Sequence, residues 1–143
     1  MFTQYMQQPG SDDLIVELTK EGAKEPALAT AKSNGYDLFT PEAFTIKPRE
    51  RICINLGVKV QFPPFVYGMI RGKSGKARDF GIVVLGGEID EDFRGELNVI
   101  LLNTGDKPWV VEKGEKIAQM MLGLSLRATV KRGTVSEKTS RGT

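Results

Sequence analysis

Histidine is absent from this 143-residue chain, and cysteine occurs once, at Cys53. The first absence removes Ser-His and Cys-His nucleophile systems together with every imidazole metal site. The second removes an internal disulfide and any zinc site built on Cys-x-x-Cys pairs. Catalysis therefore has to rest on carboxylates, amides and cations. A metal, if one is used, is expected to be a hard ion such as Mg²⁺, held by oxygen and by substrate phosphates. No run of 18 apolar residues exists, and the stretch from Met1 to Gly10 lacks both the basic and the apolar region of a secretory leader. Lys/Arg blocks and basic-aromatic ladders are missing as well, so neither a membrane nor nucleic acid is expected as a direct partner. A net charge of +2 over 27% charged residues is an ordinary surface, which suits an intracellular, soluble protein, cytoplasmic or nuclear.

What is present has a period of two. From Arg51 to Val60, Ile52, Ile54, Leu56, Val58 and Val60 fall on one face and Arg51, Cys53, Asn55, Gly57 and Lys59 on the other, the pattern of a half-buried strand. Short apolar runs recur at Leu14–Leu18, Phe65–Ile70, Ile82–Leu85, Leu97–Leu102, Trp109–Val111 and Ile117–Leu126. Between them lies turn chemistry at Pro48, Pro63-Pro64, Thr104-Gly105-Asp106 and Glu112-Lys113-Gly114-Glu115. Glycine, 16 of 143 residues, exceeds the usual share of about 7% and suits many turns. The pattern predicts an all-β sandwich or jelly roll, with at most one short helix near Lys76–Phe80. One domain over residues 13–130 is expected, between a polar N-terminal extension, 1–12, and a polar C-terminal arm, 131–143, both mobile.

Chemistry concentrates in two segments. Gly87-Glu88-Ile89-Asp90-Glu91-Asp92-Phe93-Arg94-Gly95-Glu96 sets a carboxylate and an aromatic ring three residues apart in a glycine-bounded turn before strand-like sequence. A β-hairpin of this kind offers backbone donors and acceptors to a planar polar ligand, a ring to pack beneath it and an acid beside it, the outline of a nucleoside pocket. An acidic, solvated hairpin tip reads equally well from this segment alone. Gly72-Lys73-Ser74-Gly75 supplies an ammonium, a hydroxyl and close backbone approach, which suits an oxyanion such as phosphate; the alternative is a plain tight turn. It is no P-loop, because that motif needs a glycine where Tyr67 stands. Asp79-Phe80-Gly81 is a chance match to the kinase triplet in a chain without histidine. The adjacent acids Glu91 and Asp92 have no fixed separation that would suit glycosidase chemistry.

Four segments taken together resemble the homotrimeric dUTP pyrophosphatases, the dUTPases, from about Leu14 to Thr143. They are Gly35-Tyr36-Asp37-Leu38, Gly72-Lys73-Ser74-Gly75-Lys76-Ala77, Gly87-Glu88-Ile89-Asp90 through Phe93-Arg94-Gly95, and Gly114-Glu115-Lys116-Ile117-Ala118-Gln119, in the family's order and spacing. The resemblance implies a jelly-roll-like β domain with a flexible C-terminal arm, assembled as a homotrimer whose sites draw on three subunits. It implies hydrolysis of dUTP to dUMP and pyrophosphate by in-line attack of water on the α-phosphate. By this analogy Asp90 activates the water and contacts the sugar 3′-hydroxyl, and Phe93 packs under the deoxyribose and excludes a 2′-hydroxyl. Backbone groups at Gly87, Glu88, Ile89 and Asn98 read the uracil edge. Lys73, Ser74, Gly75 and Gln119 hold phosphates, while Asp37 reaches Mg²⁺ through water.

The departures matter too. Lys73 stands where most members carry Arg, exchanging a bidentate fork for one ammonium. Phe93 replaces the usual Tyr and keeps the ring without its hydroxyl. Lys76 and Glu88 replace residues that are usually apolar. Of the family's fifth motif, a Gly-rich tail whose Arg and Ser/Thr hold the γ-phosphate, only Arg141-Gly142-Thr143 are present, so poorer water exclusion, slower turnover and weaker triphosphate binding are expected. A dCTP deaminase, which shares the fold, would need a catalytic Glu where Ile100 stands. A catalytically weak dUTPase-like binding or regulatory protein is the alternative, and Asp90→Asn separates it from an enzyme.

Overall fold

In the computed structural model, which describes residues 12–141, the period-two segments become antiparallel strands. In chain order the elements are β1 (Ile15–Leu18), β2 (Ala27–Leu28), β3 (Gly35–Phe39), β4 (Phe44–Ile46), β5 (Arg51–Gln61), β6 (Val66–Arg71), the helix α1 (Ser74–Phe80), β7 (Ile82–Leu85), β8 (Glu88–Ile89), β9 (Glu96–Asn103), β10 (Trp109–Val111) and β11 (Lys116–Leu124). One sheet has the order β1-β5-β9-β7 and a second the order β2-β3-β11-β6-β8, while β10 and β4 form a separate ribbon. The expected all-β sandwich is therefore present, and the expected short helix starts two residues before Lys76.

Alternation decides what each sheet buries. On β9, Leu97, Val99 and Leu101 are fully buried, while Glu96, Asn98, Ile100 and Leu102 lie on the opposite face. Leu56, Val58 and Val60 of β5 join them, and Leu38, Ile70, Ile117 and Met120 of the second sheet complete one apolar cluster between the layers. Trp109 closes one end of this core, edge-on to Phe44 with ring centroids 6.0 Å apart. Strand β5 carries a bulge. Between the pairs Asn55↔Asn98 and Lys59↔Glu96 it uses four steps against two, with Gly57 in a left-handed conformation (φ 67°). The excess is even, so the alternating face is kept; an odd insertion would have turned Val58 and Val60 outward.

The polar core is satisfied. Asn103 is buried, donates to the carbonyls of Ile46 and Lys107 at 2.9 Å each and accepts from the Gly105 amide at 2.9 Å, which fixes the turn before β10. Among the described residues no helix is long and apolar enough to cross a membrane. Among the described residues no strand or helix follows Leu124, and residues 126–141 are exposed. Of the two expected tails, residues 1–11 and 142–143 lie outside the described residues.

One sequence expectation is corrected. The segment Gly87–Glu96 is not a ladder-paired hairpin, because β8 pairs with β6 (Met69↔Glu88, Gly68↔Ile89), whereas β9 pairs with β5 and β7 in the other sheet. The turn from Asp90 to Gly95 is a crossover between layers. Gly87 makes the β6–β8 contact possible: its φ is 105°, and a Cβ there would lie 2.5 Å from the Ile70 carbonyl oxygen.

Candidate functional site

Strands β3, β11 and β6 lie side by side, with Gln119 opposite Asp37 on one side and Arg71 on the other. This register gathers the first, second and fourth sequence segments at one end of the sheet. Asp37 is buried, with Lys73 Nζ 2.6 Å from Oδ1 and Lys116 Nζ 3.0 Å from Oδ2. Burial opposes ionisation of this carboxyl, but hydrogen bonds and charge from the two ammonium groups outweigh it and hold Asp37 below its ordinary pKa. Gln119 donates from Nε2 to the Gly72 carbonyl at 2.9 Å. Gly35 makes room for that side chain, since a Cβ on it would sit 2.5 Å from Gln119 Oε1.

Lys73 is the N-cap residue of α1, in extended conformation, so Ser74 and Gly75 form the helix's first turn. Ser74 is exposed, and no atom lies within 4 Å of where a Gly75 Cβ would be. Two ammonium groups, one carboxylate, a hydroxyl and an amide thus share one surface. A polyanion suits this arrangement, because the cations exceed the carboxylate. Sequence reasoning missed Lys116, although it lies inside the fourth segment and its side chain follows Gly114-Glu115 directly.

Metal chemistry can be tested on the same donors. No group of three His, Cys, Asp or Glu residues able to hold a metal occurs among the described residues. A carboxylate offers about four acceptor positions, and the two lysines take one on each Asp37 oxygen. The residues therefore fit an ion carried mainly by phosphate oxygens and water, with Asp37 accepting from that water, and not a protein cage.

The third segment is built separately. The Gly87 carbonyl accepts the Ile70 amide at 2.8 Å, and Gly87 and Glu88 line a cleft with Met69, Arg71, Gly72 and Val84. Beyond β8, Asp90 is exposed and the Phe93 amide donates to its carbonyl at 3.0 Å. The Phe93 ring, 38% exposed, lies over Gly95, where a Cβ would come within 2.8 Å of it. Asp90 borders a second cleft, lined by Tyr67, Glu91 and residues 124–127. Glu91 accepts from the Phe65 amide at 3.0 Å and from Arg127 Nη2 at 2.9 Å, neither of which the sequence signalled.

Of the expected site residues, Asp37, Lys73 and Gln119 come together, with Ser74 and Gly75 beside them and Gly87, Glu88 and Ile89 on the neighbouring edge strand. Asp90 and Phe93 do not join them. Asp90 follows Ile89, which pairs with Gly68, whereas Lys73 follows the opposite end of β6. At about 3.3 Å per residue the two ends are about 15–20 Å apart. Asn98 lies on the other sheet opposite Asn55, its Nδ2 donating to the Glu96 carbonyl at 3.1 Å. Arg141 is exposed in the irregular segment that follows β11.

Comparison with known proteins gives one result throughout. The family model for dUTPase matches residues 21–143. Deoxyuridine 5'-triphosphate nucleotidohydrolase of Clostridium novyi (strain NT) is 43% identical over 131 residues, covering 90% of this chain and 92% of that protein. The enzyme of the same name from Paramecium bursaria Chlorella virus 1 is 36% identical over 129 residues, covering 90% and 92%. Among solved structures, the dUTPase of Staphylococcus bacteriophage 80alpha with dUPNHPP superposes with a TM-score of 0.85 at 23% identity, covering 92% of this chain and 95% of that one. A mutant dUTPase of phage phi11 of S. aureus, described with a structural Mg(II) ion, superposes at 0.81 with 22% identity, covering 88% and 99%. At these identities the two structures establish the fold.

Proposed function

Because the chain belongs to the dUTPase family, we propose that it hydrolyses dUTP to dUMP and pyrophosphate. The observation that carries the reading is the anion cradle of Lys73, Lys116 and Gln119, with a separate turn presenting a carboxylate and a bare aromatic ring. Lys73, Ser74, Gly75 and Gln119 bind the triphosphate, which draws Lys73 from Asp37 toward phosphate oxygen. Asp37 would then hold Mg²⁺ through water, and the ion would supply neutralisation of phosphate charge. Asp90 accepts the proton of the attacking water, and Phe93 packs against deoxyribose, where a 2′-hydroxyl would clash. Backbone groups of Gly87, Glu88, Ile89 and Asn98 read the uracil edge. Arg141 contributes from the C-terminal arm.

A separation of about 15–20 Å along β6 is too long for Asp90 to serve a phosphate bound by Lys73 of the same chain. The separation calls for a second subunit, and the family resemblance makes that assembly a homotrimer, in which the Asp90–Phe93 turn of one subunit completes the cradle of another. Sedimentation as a monomer while fully active would refute this.

The test is pyrophosphate release from dUTP, dCTP, dTTP and UTP in the presence of Mg²⁺ and again after chelation. Hydrolysis confined to dUTP and lost on chelation is the expected result. Asp90→Asn should abolish release, by about 10²-fold or more, and leave dUTP binding in place. If the native chain binds dUTP without hydrolysing it, the reading as a catalytically weak binding or regulatory protein replaces this one.

A further inference from the structure

We propose that Glu91 is a positioning residue that holds Asp90 and Phe93 in working geometry, by tying their turn to the start of the C-terminal segment through Arg127. The proposal rests on the dUTPase reading given above.

The turn that carries Asp90 and Phe93 needs an anchor. It follows a strand of only two residues, and one backbone hydrogen bond, Phe93 amide to Asp90 carbonyl, closes it. Glu91 lies in the middle of this turn, and its carboxylate reaches away from solvent. Oε1 accepts the Phe65 amide at 3.0 Å and Oε2 accepts Arg127 Nη2 at 2.9 Å. Phe65 is itself held at a left-handed φ of 65°, and its carbonyl accepts the Ser125 amide at 2.8 Å. The Glu91 side chain thus grips a corner that is pinned to the end of β11. From the other side, Arg94 Nη1 donates to the carbonyls of Glu91 (2.9 Å) and Phe93 (3.1 Å), so the backbone on both sides of Asp92 is fixed.

A merely solvated acid would not be used on both oxygens. The amide of Phe65 is the larger influence on Glu91, burial opposes it, and Arg127 adds to it; together they hold the carboxyl below its ordinary pKa. Asp90 is the adjacent residue. A displacement of about 1 Å at a reacting group costs on the order of 100-fold in rate, so an anchor one residue away acts directly on turnover. Arg127 lies three residues past the end of β11, near the start of the exposed segment that runs from Leu126 to Arg141, which makes the ion pair a physical link between that segment and the catalytic turn.

The experiment compares kcat and KM for dUTP in the full chain and in Glu91→Ala, Arg127→Ala, Arg127→Lys and the double alanine variant. Glu91→Ala is expected to lower kcat about 30- to 100-fold with KM changed less than about threefold. Arg127→Ala should lower it about 3- to 10-fold, with Arg127→Lys within about twofold of the native chain, because an ammonium can still pair with Oε2. The double variant should be no slower than Glu91→Ala, since both act through one link. Native kcat in either alanine variant, a loss confined to KM, or Arg127→Lys as slow as Arg127→Ala would overturn the proposal. Should Glu91→Ala fail to fold, the two Arg127 variants decide alone, because that side chain is exposed. If the native chain itself releases no pyrophosphate from dUTP, the dUTPase reading fails and the positioning role with it, a result unlike any of the others.

Discussion

Asp37 is a buried carboxylate whose charge depends on two lysines, and removing them should expose how each contributes. Lys73 and Lys116 approach opposite oxygens, and their side chains are 30% and 49% exposed against 3% for Asp37. A hydrogen bond to a charged group contributes about 1.5–3 kcal/mol, and partial exposure of the lysines lowers that to about 1–2 kcal/mol each. Lys73→Ala or Lys116→Ala should therefore lower the melting temperature by about 3–6 °C in the ligand-free protein. The double variant leaves a buried charge without a partner, which costs about 3–5 kcal/mol, more than the two single losses together.

The pH dependence follows from the sign of each shift. In the native chain the Asp37 carboxyl is depressed below its ordinary 3.8, so its stabilisation is present above that value and is lost as pH falls through the folded pKa. Without the lysines only burial acts, the folded pKa rises, and stability falls as pH rises through it. The penalty of the double substitution should thus be largest near pH 7 and shrink toward pH 3. Chemical denaturation at several pH values and fixed protein concentration measures it, since the stability of the proposed trimer would depend on concentration. Strictly additive losses, or a penalty independent of pH, would refute the idea that the lysines hold a buried ionised carboxylate.

Two further predictions concern glycines and the aromatic ring. Gly87→Ala should destabilise the fold by about 2–4 kcal/mol, because it combines strain at φ 105° with a Cβ 2.5 Å from the Ile70 oxygen; Gly86→Ala, with open space at its Cβ and φ 65°, should lose only about 1 kcal/mol. Equal melting temperatures for the two would show that β8 does not need its close approach to β6. Phe93→Ala should raise hydrolysis of UTP relative to dUTP by about tenfold or more, and an unchanged ratio would remove the ring from sugar discrimination.

Much of the fold was legible because it rests on periodicity. The six apolar runs each became a strand, since a side chain every second residue toward one layer is a local property of sequence. Strands β2, β3, β4 and β8 were not legible. Two are only two residues long, and β3 buries Gly35 and Asp37, which read as turn or surface residues until the register with β11 supplies their partners. The hairpin reading of Gly87–Glu96 failed for a related reason. Glycine and acidic residues signal a turn, but they do not say which sheet each flanking strand joins, and here the two strands join different ones.

The sequence by itself determined the chemistry available and the segments that carry it: carboxylates, amides and cations without imidazole, in four motifs whose order marks the family. Their residue types are written in the chain. Only the tertiary structure decided which of them meet. Hydrogen-bond register between β3, β11 and β6 brings Asp37, Lys73, Lys116 and Gln119 to one end of a sheet, and pairing of β8 along β6 sends Asp90 and Phe93 to the other. The physical reason is that antiparallel pairing converts position along a strand into position in space at about 3.3 Å per residue, whereas the partner and its register are chosen by contacts far apart in sequence.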